Sequence, residues 1–463
     1  MKVNDLLNIE IESLALGGQA VGRLDGRVVF VDRALPGDHA RARITRARRN
    51  YLEARLEGVD QPSPWRVPAP CPHVSICGGC RFQDLDYGEQ LRQKQRQVRE
   101  TLERLGGIQD PPVRDIVPAP EPFGYRNKME FSFAPDAEGR PVLGLHARGT
   151  YDRVFALETC LLPSRLTVEI VRFTQRFASD RGWRAYHPVR HQGVARFLTV
   201  RHLPLSGECA VHLIAAGDDL SGLAEWARAV AALSPEVRGV TLGISRSRAN
   251  VAVSEEERVL EGRGTIVERL LGLEFEASAN AFLQTNSRQA EALYSAALEC
   301  ASLAQGERVL DLYCGTGTLT LLFARAGARA IGVESVADAV AAAERNARRN
   351  RVGDASFVCG EARAVLRQWA RGERPSPGRP HLVVVDPPRA GLHPRVVQRV
   401  AELEPARIVY VSCNPATLAR DLKDFGAAGY HAVDVRPFDM FPHTPHIECV
   451  VRLEPARDGT PLC

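Results

Sequence analysis

The chain has 463 residues, and at a typical domain size of about 150 residues this length predicts roughly three domains. Its composition, 44% hydrophobic and 25% charged, is ordinary for a globular protein, and a net charge of +4 does not by itself indicate a nucleic-acid partner. The sequence shows neither a run of about 18 apolar residues nor a signal-peptide core near Met1, so we expect a cytoplasmic protein that does not contact membranes.

Residues 1–60 are predicted to form five short strands without a helix. Two of them, at residues 21–24 and 28–32, flank Asp25-Gly26, a dipeptide typical of hairpin turns. This pattern favours a small OB-like barrel, an architecture that often binds oligonucleotides. Six arginines crowd one stretch around the single acid Glu53, and they indicate either a solvated face or a phosphate-binding surface. They are Arg41, Arg43, Arg46, Arg48, Arg49 and Arg55.

Residues 61–270 are predicted to form a central α+β domain after a proline-rich linker at residues 61–71. Strand-like and helical segments alternate there, but their order does not predict a topology. Several of the chain's 11 cysteines fall near the start of this part. Because disulfides are uncommon in the cytoplasm, the cysteines are either part of a metal site or scattered buried thiols.

Residues 271–463 alternate strands and helices regularly, which predicts a doubly wound parallel sheet. Such sheets bind ligands at the carboxyl ends of their strands, and every motif described next follows a predicted strand. The predicted strands are residues 308–313, 330–334, 382–386 and 407–412.

The first motif is a glycine-rich turn, Cys314-Gly315-Thr316-Gly317, between a strand and a helix. Glycines let the backbone approach a ligand closely, and Glu334, at the end of the next strand, can accept hydrogen bonds from ribose hydroxyls. The third glycine of the dinucleotide motif is absent, because Leu319 and Thr320 follow the turn. This arrangement fits a nucleoside cofactor, although a glycine turn alone is equally compatible with a purely structural strand–helix connection.

Two further strand ends carry reactive groups. Asp386 precedes two prolines, which impose a rigid non-helical exit from the strand. Cys413 precedes Asn414 and Pro415, residues typical of a helix start, so its thiolate is expected to be favoured by the helix dipole. Glu448 lies in a mostly apolar strand, where an unpaired carboxylate is costly, and it is a candidate base rather than a solvated charge.

Taken together, these residues resemble the RNA (uracil-5-)-methyltransferase family, in its iron–sulfur branch that modifies 23S ribosomal RNA. The motifs D-P-P-R-x-G (386–391), S-C-N-P (412–415) and H-x-x-H-x-E (443–448) occur in the family's order, and residues 282–286 are similar to its F-x-Q-x-N motif. The resemblance extends over essentially the whole chain. It implies a Rossmann-like, S-adenosylmethionine-dependent methyltransferase domain at residues 271–463.

The resemblance also implies roles for individual residues. Cys413 is the nucleophile and Glu448 the base, and four residues surround S-adenosylmethionine: Gln284, Tyr313, Glu334 and Asp386. The chain departs from the family pattern at two positions. Thr318 stands where some relatives have Asn, and Glu361 stands where Asn or Asp is more usual. The sequence assigns no roles to Thr318 and Glu361, nor to the two histidines of the last motif, His443 and His446.

The chemistry explains why such a site needs a thiolate. C5 of uracil is a poor nucleophile toward an electrophilic methyl group. Addition of Cys413 at C6 creates an enolate that concentrates electron density on C5. After methyl transfer a base must remove the C5 proton so that the cysteine can leave, which is the role expected of Glu448.

The resemblance assigns two further parts. Residues 1–60 look like the TRAM module, an RNA-binding barrel. Four cysteines, spaced C-x5-C-x2-C with a distant fourth, are similar to the family's [4Fe–4S] site: Cys71, Cys77, Cys80 and Cys160. By chemistry alone four thiolates would also suit zinc, although zinc sites more often use two C-x2-C pairs. The motif 125–128, Tyr-Arg-Asn-Lys, is also familiar in the family, where we expect it near RNA or supporting the central fold.

Several alternatives remain open at the level of the sequence. The expected partner is 23S ribosomal RNA, but the same chemistry could act on a tRNA uridine. Cytosine-5 enzymes use two cysteines in proline motifs, and only Cys413 has that context here. An iron–sulfur radical enzyme would need a C-x3-C-x2-C motif, and a non-enzymatic iron–sulfur RNA-binding protein would not need Cys413, Asp386 and Glu448. We expect a monomer, since nothing in the sequence demands more.

Overall fold

The structure is a computed structural model that describes residues 1–278, 281 and 283–456. Its first part consists of β1 (Leu6–Leu14), β2 (Ala20–Leu24), β3 (Arg27–Asp32), β4 (His39–Ala47) and β5 (Tyr51–Gln61). These strands close into a barrel in the order β1-β2-β3-β5-β4, which confirms the predicted five-stranded barrel. Apolar side chains alternate along the strands and point inward, and Phe82 and Leu85 from the following segment complete the barrel core.

The middle of the chain forms a seven-stranded sheet. Its strands are β6 (Lys128–Pro135), β7 (Pro141–His146), β8 (Val154–Ala156), β9 (Ala195–Leu203), β10 (Glu208–Ala215), β11 (Val237–Ile244) and β12 (Glu256–Gly262). The spatial order is β12-β11-β10-β9-β6-β7-β8, and only β10 and β11 are parallel. Helices α2 (Arg165–Asp180) and α3 (Leu223–Ala232) pack on this sheet and on each other around the fully buried Trp226.

A second seven-stranded sheet lies in the C-terminal part. Its strands are β15 (Arg308–Leu312), β16 (Arg329–Glu334), β17 (Ala355–Cys359), β18 (Leu382–Val385), β19 (Arg407–Ser412), β20 (Tyr430–Phe438) and β21 (Glu448–Pro455). A hairpin of β13 (Thr265–Leu270) and β14 (Leu273–Ser278) precedes it. The helices are α4 (Ser287–Ala301), α5 (Thr318–Arg325), α6 (Ala337–Arg349), α7 (Ala362–Ala370), α8 (Pro394–Glu402) and α9 (Pro415–Ala427).

The order of this sheet, β17-β16-β15-β18-β19-β21-β20, confirms the predicted doubly wound arrangement. The first five strands are parallel, whereas β21 is antiparallel to β19 and β20. The central strand β18 is buried along its whole length, as expected for a strand covered on both faces. Leu312 pairs with Val385, and Val385 pairs with Tyr410, so the strand ends that carry the motifs meet at one edge.

Helix α1 (Tyr87–Arg104) belongs by its contacts to the C-terminal sheet, although it follows the barrel in sequence. It packs against α9, and its residues Val98 and Leu102 are part of the core formed by β18, β19 and β21. The strand-like segment after it forms backbone bridges to β20, pairing Val113 with Val435 and Val117 with Phe438. The hydrophobic core of the C-terminal sheet therefore includes residues from the first quarter of the chain.

A buried ion pair fixes α1 in this position. Lys94 Nζ donates to Asp439 Oδ1 at 2.6 Å and to the Phe441 carbonyl at 3.1 Å, and the Lys94 and Asp439 side chains are almost fully buried. Tyr87, also on α1, donates its hydroxyl to Asp439 Oδ2 at 2.9 Å. Burial lowers the pKa of Lys94, and the neighbouring carboxylate of Asp439 opposes that shift. Within the described residues, no helix is both long enough and apolar enough to cross a bilayer.

Replacing Lys94 by Met should strongly destabilise the C-terminal part of the chain. The change leaves the buried carboxylate of Asp439 without its cation, which costs about 3–5 kcal/mol in comparable sites. Urea unfolding followed by tryptophan fluorescence measures the effect. As a control, Arg104→Met on the same helix breaks an exposed pair with Glu100 and should cost at most about 1 kcal/mol.

The double variant Lys94→Met/Asp439→Leu removes both charges and should recover much of the loss. If Lys94→Met alone were as stable as Arg104→Met, the ion pair would not hold α1 in place.

Candidate active site

The glycine-rich turn after β15 is held by the acid at the end of β16. Tyr313, Gly315 and Gly317 all have positive φ, and a Cβ on Gly317 would lie only 2.9 Å from the side chain of Ala343. Glu334 Oε2 accepts a hydrogen bond from the Gly315 N–H at 3.1 Å. The turn and Glu334 thus lie together, as the nucleoside-cofactor hypothesis requires, and the tight approach to α6 explains the glycine at position 317.

Asp386 follows β18 and lies near a second carboxyl, Asp311. Burial raises the pKa of Asp386 to about 7, and the nearby Asp311 contributes. Burial likewise raises the pKa of Asp311 to about 7, although its carboxylate accepts a 2.5 Å hydrogen bond from Thr320 Oγ1. The side chain of Tyr294, on α4, is fully buried beside both carboxyls. This part of the site can therefore hold neutral or ionised carboxyls near neutral pH.

Cys413 lies between β19 and α9, as predicted from the sequence. Asn414 caps the helix by accepting from the Ala416 N–H at 3.1 Å, and Pro415 is the first helical residue. The expectation of a stabilised thiolate was wrong for this state of the protein. Burial raises the pKa of Cys413 to about 11, and the carboxyls of Glu448 and Asp386 add to the shift.

Glu448 is the first residue of β21. Ser412, the last residue of β19, pairs with Cys449, so Cys413, directly after β19, and Glu448, at the start of β21, lie at the same edge of the sheet. Glu448 is only 4% exposed, and burial raises its pKa to about 8, with Asp386 contributing. A carboxyl with this pKa is suited to accepting and releasing a proton near neutral pH.

Arg389 belongs to the 386–391 motif, but the sequence analysis assigned no role to it in the site. Its positive charge lowers the pKa of both Cys413 and Glu448, opposing their burial. Helix α9 holds the loop that carries Arg389. Asp421 Oδ2 accepts from the Leu392 N–H and from the Tyr410 hydroxyl, both at 2.7 Å. The sequence signal for Arg389 was its place in the D-P-P-R-x-G motif.

The two histidines of the last motif differ in their surroundings. His443 is buried, and its backbone N–H donates to Gln90 Oε1 at 3.0 Å. Its ring stacks on Phe123 with 4.3 Å between ring centroids. Burial lowers the pKa of His443 and of His446 to about 4, and Arg389 contributes to the shift at His446. Both rings are therefore neutral near pH 7. His443 joins α1 to the segment that precedes Glu448.

Gln284 lies in the segment before α4, and Phe282 of the same motif lies outside the described residues. Asn127, from the 125–128 motif, donates to the Gln284 carbonyl at 2.9 Å and to Ser287 Oγ at 2.7 Å. Asn286 caps α4 and donates to the Met440 carbonyl at 3.1 Å. The central sheet thus positions the segment that contains Gln284 against the C-terminal sheet.

The two positions that depart from the family pattern lie at the same sheet edge. Thr318 is the first residue of α5, directly after the glycine turn, and it is buried. Glu361 directly precedes α7, and its charge contributes to raising the pKa of Tyr313 to about 12, a shift caused mainly by burial. Glu361 is therefore close to the residue that follows β15.

The four predicted cluster cysteines line one cavity of about 590 Å³ in the central part: Cys71, Cys77, Cys80 and Cys160. Burial raises the pKa of Cys80 to about 11 and that of Cys160 to about 12, and the other thiols of the group add to both shifts. Arg148 donates to the carbonyls of Cys77 and Cys80. No group of three or more His, Cys, Asp or Glu side chains in the described ranges is arranged to hold a single metal ion.

The arginine stripe of the barrel is largely neutralised. Four of its six members form ion pairs with acids, and two of these acids lie on β5 just beyond the stretch considered in the sequence. The pairs are Arg41–Asp60, Arg43–Glu57, Arg46–Glu53 and Arg55–Glu57. The barrel therefore presents fewer free cations than the sequence indicated.

Comparison with known proteins places these features in one family. Residues 194–456 match the tRNA (uracil-5-)-methyltransferase family, and residues 2–56 match the TRAM domain. The chain is 38% identical over 449 residues to an "uncharacterized RNA methyltransferase" of Gloeobacter violaceus, covering 97% of this chain and 96% of the relative. A protein of the same description from Nitratidesulfovibrio vulgaris is 39% identical, with 96% and 95% covered.

Among solved structures, the chain is similar to the tRNA (uracil-54, C5)-methyltransferase of Pyrococcus abyssi, which was crystallised in complex with S-adenosyl-L-homocysteine. The TM-score is 0.76 at 29% sequence identity, and the match covers 96% of this chain and 99% of the archaeal one. The similarity therefore extends over the barrel, the central sheet and the C-terminal sheet together.

The raised pKa of Cys413 predicts a distinctive alkylation profile. Between pH 7 and 9 its iodoacetamide reaction should accelerate about tenfold per pH unit without a plateau, because a pKa near 11 leaves few thiolates there. Mass spectrometry of the peptide containing Cys413 measures the rate. The same peptide in the urea-unfolded chain is the control and should level off near the ordinary cysteine pKa of about 8.5. A plateau below pH 8 in the folded protein would show that the helix N-terminus outweighs burial.

Proposed function

The chain belongs to the tRNA (uracil-5-)-methyltransferase family and is an S-adenosylmethionine-dependent RNA methyltransferase, and from this premise we propose that it methylates C5 of a uridine in 23S ribosomal RNA through a covalent bond from Cys413. One observation carries the mechanistic part of this proposal. A thiol and a buried carboxyl, Cys413 and Glu448, lie side by side at the sheet edge that also bears the glycine turn.

In the proposed reaction, the Cys413 thiol gives its proton to solvent, and Sγ forms a bond to C6 of the uracil while the C5–C6 double bond becomes an enolate. S-adenosylmethionine, when bound, supplies an electrophilic methyl group to C5. Glu448 then removes the C5 proton, the C5–C6 double bond re-forms, and the bond between Cys413 and C6 breaks. Glu448 ends the cycle protonated, which its pKa of about 8 permits near neutral pH.

Arg389 has a supporting role in this scheme. The free site favours the neutral thiol of Cys413, so the thiolate must be generated when the substrate is in place. The Arg389 guanidinium is the cation that lowers the pKa of both reactive groups, so it stabilises the charged forms that the reaction needs. The target base must leave its stack to reach these groups, because C6 is not accessible within a duplex.

Around the cofactor, we propose that Gln284, Tyr313, Glu334 and Asp386 contact S-adenosylmethionine. The Gly315 N–H donates to Glu334 and holds it at the glycine turn. There, its carboxylate can accept hydrogen bonds from ribose hydroxyls. Asp386 and the segment of Gln284 approach the same edge from β18 and from α4. The small residues of the turn leave space for a nucleoside close to the backbone.

Four thiols from two distant segments line the cysteine cavity. Four thiolates are the ligand set of a [4Fe–4S] cluster, in which each thiolate binds a different iron. We propose that Cys71, Cys77, Cys80 and Cys160 hold the cluster. Since methyl transfer needs no electron, we assign the cluster a structural or RNA-positioning role.

The cysteine site also supports the ribosomal target, through the resemblance of its spacing to the branch that modifies 23S ribosomal RNA. The alternative target is a tRNA uridine, which the similarity to the Pyrococcus abyssi enzyme supports. The following experiment distinguishes the two.

Wild-type protein given S-adenosylmethionine and RNA tritiated at uridine C5 should release tritium, and Cys413→Ala should not. Transcripts of 23S ribosomal RNA and of tRNA are tested in parallel, and the ribosomal transcript should be the substrate. Methyl transfer without tritium release would mean that another atom is methylated and would overturn the mechanism.

Glu448→Gln serves as the second arm of this test. Without the base the C5 proton stays, so a covalent RNA–protein adduct should accumulate and survive denaturing electrophoresis. The matched control is Glu454→Gln on the same strand β21, which should turn over normally. Full turnover by Glu448→Gln without an adduct would remove the base role from Glu448.

Anaerobically purified protein should contain about four irons and four sulfides per chain. Cys77→Ser should lose both and the accompanying visible absorbance, because one of the four proposed ligands is gone. Cys359→Ser, which changes an exposed cysteine at the end of β17 in the C-terminal sheet, should retain them. One zinc per chain in place of iron would refute the cluster.

A further inference from the structure

A groove of about 700 Å³ runs along α2 in the central part, outside the catalytic pocket. One wall is the exposed face of α2, and the other is formed by residues 123–124 and 159–163. Cys160 lies in this second wall, so the groove borders the cysteine cavity. None of the roles proposed above uses this groove.

The α2 wall carries a row of free cations. Arg165, Arg172 and Arg176 are spaced seven and four residues apart, which places them on one face of the helix. All three are exposed, and none makes an ion pair with a residue that the structure describes. Glu169 is the one acid among the described residues that line the groove, so the lining keeps a net positive charge. The barrel arginines, by contrast, are mostly paired with acids.

The position of Arg165 adds to the positive potential. It is the first residue of α2, whose first turn contains no acid. A helix N-terminus is already positive, so an arginine there slightly destabilises the helix instead of stabilising it. Helix stability therefore does not explain this residue, whereas binding of an anion would benefit from both charges.

The inner end of the groove leads to the catalytic segment. Phe123 lines the groove and stacks on His443, with 4.3 Å between ring centroids and 22° between ring planes. His443 lies five residues before Glu448 in the chain. Its carbonyl accepts the N–H groups of Arg81 and Phe82, which follow Cys80. The groove thus connects a basic helix face, an aromatic ring and the segment that carries the proposed base.

We propose that this groove binds the single-stranded RNA adjoining the target uridine, with the three arginines of α2 on its phosphates. A basic track next to an aromatic side chain is the combination that binds single strands, since cations follow the backbone and rings stack on bases. The proposal rests on the proposed function and adds the path that the substrate takes to the site.

The test compares Arg165→Ala/Arg172→Ala/Arg176→Ala with the control Arg228→Ala. Arg228 is an exposed, unpaired arginine on the neighbouring helix α3, outside the groove. Binding of a fluorescein-labelled oligouridylate is measured by anisotropy over a range of salt concentrations. S-adenosylmethionine binding by calorimetry checks that each variant is folded.

The triple variant should bind the oligouridylate about 10- to 100-fold more weakly at roughly 0.1 M salt. The slope of log K against log salt should become shallower by about 2, at roughly 0.7 per lost phosphate contact. In the tritium-release assay, KM for RNA should rise at least about tenfold with kcat unchanged, because these arginines bind substrate and reacting complex equally. Arg228→Ala should resemble the wild type in all three measurements.

Two outcomes overturn the proposal. If the triple variant keeps the affinity and salt slope of an active wild type, α2 is a solvated face. If Arg228→Ala loses as much affinity, the effect comes from general charge and not from the groove. A wild type that releases no tritium from either RNA would instead overturn the proposed function, and it would do so whatever the binding results.

Discussion

The buried ion pair between Lys94 and Asp439 is the interaction on which the arrangement of the site depends. A lone charge in that position would be costly, so α1 and the segment after β20 gain stability only when they meet. Once α1 is in place, its Gln90 holds the backbone and ring of His443, and Tyr87 holds Asp439. The segment that leads to Glu448 is thus positioned by a helix more than 300 residues earlier. Helix α1 therefore links an early part of the chain to the segment that leads to Glu448.

The second constraint is the low hydration of the reactive groups. Burial favours the neutral forms of Cys413, Asp386 and Glu448, although the proposed reaction needs a thiolate and a carboxylate. The positive charge of Arg389 opposes burial at both Cys413 and Glu448. The loop that carries Arg389 is held by Asp421, which links α9 to the turn after β18. The position of the Arg389 guanidinium therefore affects the charge state of both proposed reactive groups.

The sequence predicted the parts of the fold that depend on local pattern. The alternation of apolar and polar residues predicted the five-stranded barrel, and Asn414 and Pro415 predicted the helix start after Cys413. The sequence did not predict which surface packs against an amphipathic helix, so the packing of α1 against α9 was missed. The ion pairs of the barrel arginines depend on the register of β4 with β5, which three irregularities shift. The neutral thiol of Cys413 depends on carboxyls brought close only by the folded sheet.

The cysteine site and the groove beside α2 are adjacent in the structure. The cavity joins the segment 71–80 to Cys160, and Cys160 forms part of the groove beside α2. Directly after Cys80, the N–H groups of Arg81 and Phe82 bind the carbonyl of His443. A group held by these cysteines would therefore fix one wall of the groove relative to the catalytic segment. A structural role of this kind needs no change of oxidation state, and it explains why a cluster would accompany a reaction that transfers no electron.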